Sequence, residues 1–273
     1  MQRVKAGIMF LIVFTLFLTG CSRVPVTGRK QLNIVPDSVI NSMSFNQYQE
    51  FLTSNKVSRD QEKVEMVKRV GNNIKLAVEE YFARRDMQDE LKDYKWEFNL
   101  VEDDTVNAWC MPGGKVVVYT GILPLTKNET GLSVVMGHEI AHAIAKHGSE
   151  RMSQGLIVQM GGIALEKAIE EKPEKTRNLF LQSFGIGAQV GVLLPFSRRH
   201  ESEADHLGLI FMAMAGYNPE EAVDFWQRMA DSKQGAAPPE FLSTHPADEP
   251  RIQDIKSLLP EAKKYYQEAQ KPR

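Results

Sequence analysis

A pair of histidines one helical turn apart constrains the fold of this chain more than any other feature. The stretch HEIAH at 138–142 lies within an apolar run that extends from Leu132 to Ile144 at helical spacing, which predicts a buried helix. Positions i and i+4 share one face of a helix, so His138 and His142 can direct both imidazoles at a single metal ion. The alternative interpretation is a pair of core histidines with solvated partners.

The glutamate inside this motif has a place in the metal interpretation. Glu139 lies one step round the helix from His138, beside a metal rather than on it. There its carboxylate can accept a proton from a zinc-bound water. The pattern His-Glu-x-x-His on a helix is typical of zinc sites, with nitrogen ligands at about 2.0–2.1 Å. We therefore expect one Zn²⁺ per chain, with Glu139 as the general base.

A third protein ligand must come from another segment, because catalytic zinc sites usually hold three and leave one position open for water. The candidate is RRHESEAD at 198–205, where Glu201 and Asp205 are one helical turn apart. One acid can bind zinc while the other accepts the second N–H of a ligating imidazole. We favour Glu201 as the ligand over Glu203, which has no acid four residues later, and over His200. Alone, this segment would be interpreted as a solvated charged face.

The next histidine along the chain, His147, is not expected to bind metal. It follows His142 by five residues, about 140° further round an ideal helix. We expect it to be solvated or to interact with the C-terminal dipole of the helix. The longer zinc motif that adds a glycine at 145 and a histidine at 148 is excluded, because those positions are Ala145 and Gly148.

The N-terminus predicts export and lipidation. Two basic residues within the first five precede an apolar run from Ala6 to Leu18, and Cys21 follows small residues. The run is shorter than the roughly 20 residues that span a bilayer, which favours a cleaved signal peptide over 1–20 rather than an uncleaved signal anchor. The LTGC ending resembles the lipobox of bacterial lipoproteins, which are lipidated on the cysteine. By analogy, Ser22 favours the outer membrane, with the protein facing the periplasm.

Composition narrows the classes of partner. A hydrophobic fraction of 42% is ordinary for a globular protein, and a net charge of −2 does not favour nucleic acid as a ligand. With Cys21 lipidated, Cys110 has no partner for a disulfide. It lies in a strand-like stretch without an adjacent base, so we interpret it as a small buried hydrophobe rather than a nucleophile.

Hydrophobic periodicity predicts a mostly helical α+β domain with a small sheet. We expect a lipid-anchored linker over 21–36 and a single domain over 37–273. The segment 153–195 has the pattern of a helical hairpin, which either covers the core or acts as a mobile lid. The predicted helices are 37–54, 59–84, 126–148 with Thr126 or Asn128 as cap, two in the hairpin with a turn near Pro173, 198–215, 219–229 and the tail from 246; the strands are 95–103, 115–123 and the stretch around Cys110.

The two motifs together resemble a known family. His-Glu-x-x-His at 138–142 followed by Glu-x-x-Ala-Asp at 201–205 is similar to the gluzincins of the HtpX and CAAX-prenyl-protease group, metallopeptidase family forty-eight, and more closely to its small lipoprotein members. The resemblance runs from PVTGRKQL at 25–32 to HPADEPRI at 245–252. It implies a zincin-type domain with a small sheet beside the active-site helix. Unlike the prenyl proteases, the chain has no multi-span membrane helices and no room for a tetratricopeptide domain, which argues against prenylated substrates and an assembly-factor role.

The resemblance also implies roles for single residues. Asn107 and Ala108 match the edge strand that binds substrate, and His245 matches a histidine that stabilises the reaction intermediate. The alternative for His245 is a turn residue before a proline. An extended substrate would pair with this edge strand main chain to main chain, which predicts a broad endopeptidase specificity. Together with the predicted export, this indicates cleavage of misfolded or damaged cell-envelope proteins, a role in protein quality control.

Two other functions stay open at this point. The first is a non-catalytic, zinc-containing envelope lipoprotein that binds misfolded proteins, in which Glu139 would be idle. The second is a zinc hydrolase that acts on another bond, such as a cell-wall amide. No oligomeric state is predicted.

Overall fold

The computed structural model describes residues 21–24, 27–189, 194–232 and 239–271, so the signal peptide predicted over 1–20 lies outside the described residues. The chain divides into two compact units. The first unit combines 1–40 with 146–200, and the second unit combines 41–145 with 201–273. No helix in the described ranges is both long enough and apolar enough to cross a bilayer.

The predicted mostly helical α+β class is confirmed. Each predicted helix and strand is present; the ends of 37–54 agree, and the ends of the other elements differ by up to several residues. In chain order, the elements are β1 (Cys21–Arg23), β2 (Lys30–Leu32), α1 (Asp37–Ser54), α2 (Gln61–Ala83), β3 (Glu97–Val101), β4 (Ala108–Met111), β5 (Lys115–Tyr119), α3 (Leu123–Thr126), α4 (Glu129–Ile144), α5 (His147–Ala168), α6 (Glu174–Ala188), α7 (Leu194–Met214), α8 (Glu221–Asp231), α9 (Glu240–Thr244) and α10 (Glu249–Ala269), with short 3₁₀ turns at Gln88–Leu91 and Thr120–Ile122.

A three-stranded sheet in the order β3-β5-β4 lies in the second unit. β3 runs parallel to the central strand β5, and β4 runs antiparallel to it. The turn from β4 to β5 contains Gly113 and Gly114 at φ values of 81° and 85°, a left-handed conformation that glycine adopts without a steric penalty. β4 is therefore an edge strand in the described part of the chain.

Helices cover both faces of this sheet, because successive side chains of a strand point to opposite faces. On one face, Val101 and Val117 pack against Tyr48 of α1. On the other face, Phe98 lies so close to Gly71 of α2 that a Cβ atom there would come within 2.4 Å of the ring. The strands are thus enclosed in the core of the second unit.

The helix that carries the histidine motif, α4, is buried along nearly its whole length, from Gly131 to Ile144. It begins after Asn128, whose side-chain oxygen accepts a hydrogen bond from the Gly131 N–H at 3.0 Å. Of the two predicted caps, the structure therefore has Asn128. The predicted extension to residue 148 is wrong, since Lys146 adopts a left-handed φ of 57° and ends the helix.

The first unit contains two hairpins. β1 and β2 pair antiparallel within the segment that was predicted as a linker. α5 and α6 form the predicted helical hairpin, with Pro173 at the start of α6. The two hairpins are joined where the Ile34 N–H donates to the Ser153 hydroxyl at 3.0 Å. Whether the helical hairpin covers a core or acts as a lid stays a prediction.

A buried polar cluster also belongs to the first unit. Arg29 donates two hydrogen bonds to the Glu150 carboxylate, at 3.0 and 2.7 Å. The Nε2 atom of His200 lies 3.0 Å from the same carboxylate, and His147 stacks on the His200 ring with centroids 4.2 Å apart. His147 is fully buried, so its predicted solvation is wrong. The helix break at Lys146 is the reason, since His147 begins a new helix instead of continuing α4.

The cluster predicts a specific acid sensitivity. Burial would raise the pKa of Glu150, but His200 and Arg29 outweigh it and lower the pKa from 4.5 to about 2. A carboxylate with a lowered pKa stabilises the fold above pH 4.5, and this contribution is lost as the pH falls from 4.5 towards 2. Glu150→Gln should therefore reduce the free energy of unfolding at neutral pH by about 1–3 kcal/mol, because the charged partners Arg29 and His200 lose their carboxylate.

Urea unfolding at a series of pH values measures this effect. The variant should show a flatter pH dependence below pH 4.5 than the parent chain. Glu170→Gln is the control, because Glu170 pairs with Lys167 on the exposed surface. An acid dependence that is the same in the parent and in Glu150→Gln would contradict the prediction.

Candidate metal centre

Two glycines allow α4 and α7 to approach closely in the second unit. A Cβ atom on Gly208 would lie 2.9 Å from the backbone nitrogen of His138, and one on Gly137 would lie 3.0 Å from the Gly208 carbonyl oxygen. Neither position has room for a larger side chain without a shift of the backbone. This crossing sets Glu201 and Asp205 of α7 against the histidines of α4.

Four buried side chains converge beside the crossing. The ligand atoms of His138, His142, Glu201 and His245 all lie within 4.8 Å of one another. The two Nε2 atoms of His138 and His142 are 3.0 Å apart, and each is 3.3 Å from an oxygen of Glu201. The Nδ1 atom of His245 lies 2.8 Å from Glu201 Oε2 and 3.1 Å from His138 Nε2. The donor group therefore consists of three imidazoles and one carboxylate.

The spacing and chemistry of these donors fit zinc. Tetrahedral coordination with bonds of about 2.0–2.1 Å places neighbouring ligand atoms roughly 3.3 Å apart. The observed separations of 2.8 to 3.3 Å are close to that value. Imidazole nitrogen and carboxylate oxygen are both common zinc ligands. The residues present can thus hold one such ion.

Asp205 orients the first histidine of the motif. Its Oδ1 lies 2.9 Å from the Nδ1 atom of His138, so the carboxylate can accept the Nδ1–H of the ring. That hydrogen bond leaves Nε2 as the nitrogen that faces the cluster. The sequence predicts this arrangement from the i, i+4 spacing of Glu201 and Asp205.

Arg251 fixes Asp205 through both carboxylate oxygens. Its guanidinium donates to both oxygens of the Asp205 carboxylate at 2.8 Å and lies 3.5 Å above the Trp226 ring. It also donates to the carbonyl oxygen of Pro246 at 3.0 Å, next to His245 in the chain. Arg251 therefore connects α7, α8 and the segment that follows α9. No spacing in the sequence predicts these contacts.

The electrostatics of the cluster favour a cation. Glu139, Glu201 and Asp205 are all buried at the cluster, and two of them, Glu201 and Asp205, pair with the guanidinium of Arg251. Burial lowers the pKa of His138, but Asp205 and Glu201 outweigh it and raise that pKa to about 9. Such a shift indicates a strongly negative potential, which suits a divalent ion.

Glu201 and Asp205 are held ionised by their contacts in the cluster. Burial opposes ionisation of Glu201, yet the imidazoles of His138 and His142 keep the pKa of Glu201 well below its usual range. Burial likewise opposes ionisation of Asp205, and Arg251 followed by His138 lowers its pKa. The ligand and its supporting acid therefore both carry the charge that metal binding needs.

The structure brings together the three residues that the sequence assigns to the metal, His138, His142 and Glu201, and it places Asp205, the predicted supporting acid, against His138. His245 differs from its predicted place, since it joins the donor group instead of lying only beside it. The rejected alternatives, Glu203 and His200, are not among the four converging residues.

Glu139 and Cys110 lie near this cluster without belonging to the donor group. The Oε1 atom of buried Glu139 is 3.4 Å from the Nε2 atom of His245. Burial and then the nearby Glu139 carboxyl group raise the pKa of the Cys110 thiol well above its ordinary value. A thiol that stays protonated is a poor nucleophile, in agreement with the predicted passive role of Cys110.

The predicted substrate residues lie at the start of edge strand β4. The Asn107 side chain accepts a hydrogen bond from the Ala108 N–H at 2.9 Å and donates to Glu240 at 3.1 Å. The Phe241 N–H donates to the Val106 carbonyl oxygen, also at 3.1 Å. The beginning of β4 is thus attached to α9, the short helix that ends just before His245.

Comparison with known proteins identifies relatives of this chain. Residues 70–259 match peptidase family M48. The mitochondrial metalloendopeptidase OMA1 of Schizosaccharomyces pombe is 40% identical over 174 residues, 63% of this chain and 49% of the relative. Human OMA1 is 28% identical over 263 residues, 94% of this chain and 49% of the relative.

A bacterial relative matches over a shorter segment. The beta-barrel assembly-enhancing protease of Yersinia pestis is 31% identical over 170 residues, 59% of this chain and 34% of that protein. The chain therefore spans about half or less of the length of these curated relatives.

The contacts of Arg251 predict a role in metal affinity. Arg251→Met removes both hydrogen bonds to Asp205, so the His138 ring should lose its fixed orientation and zinc affinity should fall by about 10–100-fold. Arg251→Lys keeps the charge but not the bidentate geometry, so its zinc affinity should lie between those of Arg251→Met and the parent chain. Competition with a chromogenic chelator measures the affinity.

Arg85→Met provides a matched control for that experiment. The Arg85 guanidinium lies 3.5 Å over the Tyr81 ring, the same separation that Arg251 has from Trp226, but it contacts no residue of the cluster. Equal zinc affinity in Arg251→Met and the parent chain would show that Asp205 needs no support from Arg251.

Proposed function

Since the chain belongs to peptidase family M48, a family of metal-dependent peptidases, we propose that it is a zinc-dependent endopeptidase. One observation carries this proposal: His138, His142 and Glu201 converge in a buried site, and the Glu139 carboxyl group lies beside them without joining them. Three protein ligands and a neighbouring acid are the parts that hydrolysis of a peptide bond requires.

His138, His142 and Glu201 would hold the zinc ion in this mechanism. When bound there, zinc would polarise the scissile carbonyl and lower the pKa of a bound water to about 7. Glu139 accepts a proton from the attacking water and returns it to the leaving amine. Asp205 keeps His138 in the tautomer whose Nε2 faces the site.

His245 distinguishes two uses of the same cluster. A closed set of four protein donors is typical of structural zinc, whereas catalytic sites leave one position open. The three other donors lie within long helices, but His245 follows the five-residue helix α9. We infer that His245 leaves the donor group when substrate binds and holds the carbonyl oxygen as negative charge develops on it.

The fourth donor also favours one alternative. A permanent His245 ligand would close the site, and the chain would then be a zinc-containing envelope lipoprotein that binds misfolded proteins without cleaving them. In that case Glu139 would have no chemical role. The His245 substitution described below separates the two functions.

Substrate binding is proposed along the outer edge of β4. An extended peptide adds to an edge strand through its main chain, which gives affinity with little demand on sequence. Asn107 and Ala108 lie where that edge begins, and the Asn107 side chain already occupies the Ala108 N–H. An arriving strand would replace this hydrogen bond. Broad specificity towards unfolded protein segments follows from this mode of binding.

The proposed place of action is the bacterial cell envelope. The signal peptide over 1–20 and lipidation of Cys21 would anchor the protein to a membrane, with the outer membrane favoured, and expose it to the periplasm. The name of the Yersinia pestis relative refers to β-barrel assembly, which supports envelope proteins as substrates. Misfolded or damaged members of that class are the proposed targets.

Glu139→Gln tests the general base. The amide cannot accept a proton, so the variant should retain one zinc per chain but lose cleavage of casein. Glu129→Gln at the start of the same helix is the control, because Glu129 pairs with Arg69 on the surface. Full activity of Glu139→Gln would exclude Glu139 as the base.

His245→Ala tests the two uses of the cluster. If His245 stabilises the developing oxyanion, the variant should keep its zinc and lose about 10²–10³-fold in kcat. His206→Ala is the control, since His206 lies on α7 and pairs with exposed Glu261. If the parent chain cleaves nothing and His245→Ala loses its zinc, the non-catalytic alternative is favoured instead.

A further inference from the structure

The helical hairpin of the first unit carries a concentration of exposed apolar side chains. We propose that this surface, which we name the apolar hairpin face, lies on the phospholipid membrane to which the chain is anchored. Seven of the twelve large apolar residues that are exposed in the described part of the chain belong to it, with exposures of 38% to 66%: Met152, Leu156, Met160, Ile163, Leu179, Phe180 and Ile186.

The spacing of these residues makes a continuous surface. On α5, Met152, Leu156, Met160 and Ile163 follow one another at intervals of four, four and three residues, so they form a single stripe. On α6, Leu179 and Ile186 are seven residues apart, with Phe180 beside them. The stripes together expose apolar area on the order of several hundred Å², the size at which a patch marks an interaction site.

The apolar hairpin face is not the surface through which α5 and α6 pack on each other. Phe184 of α6 lies against Gly161 and Gly162 of α5, with its ring 3.0 Å from the place of a Cβ atom on Gly161. The two helices therefore have their own contact, made by other residues. The exposed stripes are available to a partner outside the hairpin.

The distribution of charge favours a lipid surface as that partner. No charged residue occurs between Arg151 and Glu166, or between Arg177 and Arg198. The charged residues gather in the connecting stretch EKAIEEKPEKTR at 166–177. The fourteen uncharged residues of α5 extend about 21 Å along the helix, and the eleven that α6 has after Arg177 extend about 17 Å, both short of the roughly 30 Å of a bilayer core. Within the part of the chain that the structure describes, no helix is long and apolar enough to cross it. The hairpin can therefore lie along the lipid surface rather than cross it.

The position of the proposed lipid anchor supports the same partner. Cys21 is paired with Leu32 in the β1–β2 hairpin, and two residues later Ile34 donates to Ser153, the neighbour of Met152. Summing one strand spacing, two residues and one hydrogen bond places Cys21 within roughly 20 Å of the apolar hairpin face. Acyl chains on Cys21 would hold this unit at the bilayer. The inference thus rests on the proposed lipidation, but not on peptidase activity.

Quenching of tryptophan by brominated lipids tests the contact directly. The full chain is reconstituted into vesicles of phosphatidylethanolamine and phosphatidylglycerol, with and without bromine on the acyl chains, and carries the reporter Met160→Trp. Leu76→Trp is the matched control, because Leu76 is an exposed apolar residue of the second unit on α2. Bromine should quench the added fluorescence at 160 at least several-fold more than that at 76.

A charge on the same stripe gives a second readout. Adding Ile163→Glu to the Met160→Trp reporter should reduce the quenching towards that of the control, because a carboxylate resists burial in lipid. Equal quenching at 160 and 76, or quenching that Ile163→Glu leaves unchanged, would overturn the proposal. Equal quenching with a doubled mass in solution would instead assign the face to a second copy of the chain.

Two further measurements on the same samples test acylation and peptidase activity separately from the membrane contact. Mass spectrometry of the mature chain reports acylation of Cys21, and casein cleavage reports the proposed peptidase. Quenching at 160 without acylation would overturn the role of the anchor, whereas absence of quenching from an acylated, active enzyme would overturn only the membrane contact. Loss of cleavage with intact quenching would reject the proposed function and leave the membrane contact standing.

Discussion

The buried carboxylate of Asp205 makes the interaction on which the metal centre depends. Both of its oxygens accept hydrogen bonds from Arg251, and Oδ1 also faces His138 Nδ1, so the carboxylate links the Arg251 guanidinium to a metal-ligating ring. Removing one partner of a buried ion pair typically costs about 3–5 kcal/mol, since the remaining charge is left uncompensated. Stability of the fold and orientation of the ligand are therefore coupled at a single residue.

Helices rather than loops hold this interaction in place. Close packing at Gly137 and Gly208 brings α4 and α7 together, and α10 supplies Arg251 from the far end of the chain. The result is a site with three carboxyl groups near one guanidinium, in which the pKa of His138 is raised to about 9. A divalent cation neutralises that excess, so the same charges that would destabilise an empty pocket favour metal binding.

Much of this centre follows from the sequence, because helical spacing alone sets which residues share a face. His138 with His142, and Glu201 with Asp205, are each one turn apart, and Asn128 is a recognisable cap. Contacts across long sequence distances carry no such signal. The clamp by Arg251 and the approach of His245 depend on how α9 and α10 fold back.

The prediction that His147 is solvated assumed one uninterrupted helix. The left-handed residue Lys146 breaks that helix, so His147 begins a new helix and is buried.

The most direct test is the metal content of the purified chain, measured together with casein cleavage in the presence and absence of a chelator. The account predicts one zinc per chain and cleavage that a chelator abolishes and added zinc restores. A chain that binds no zinc, or that cleaves casein equally well in the chelator, would contradict it.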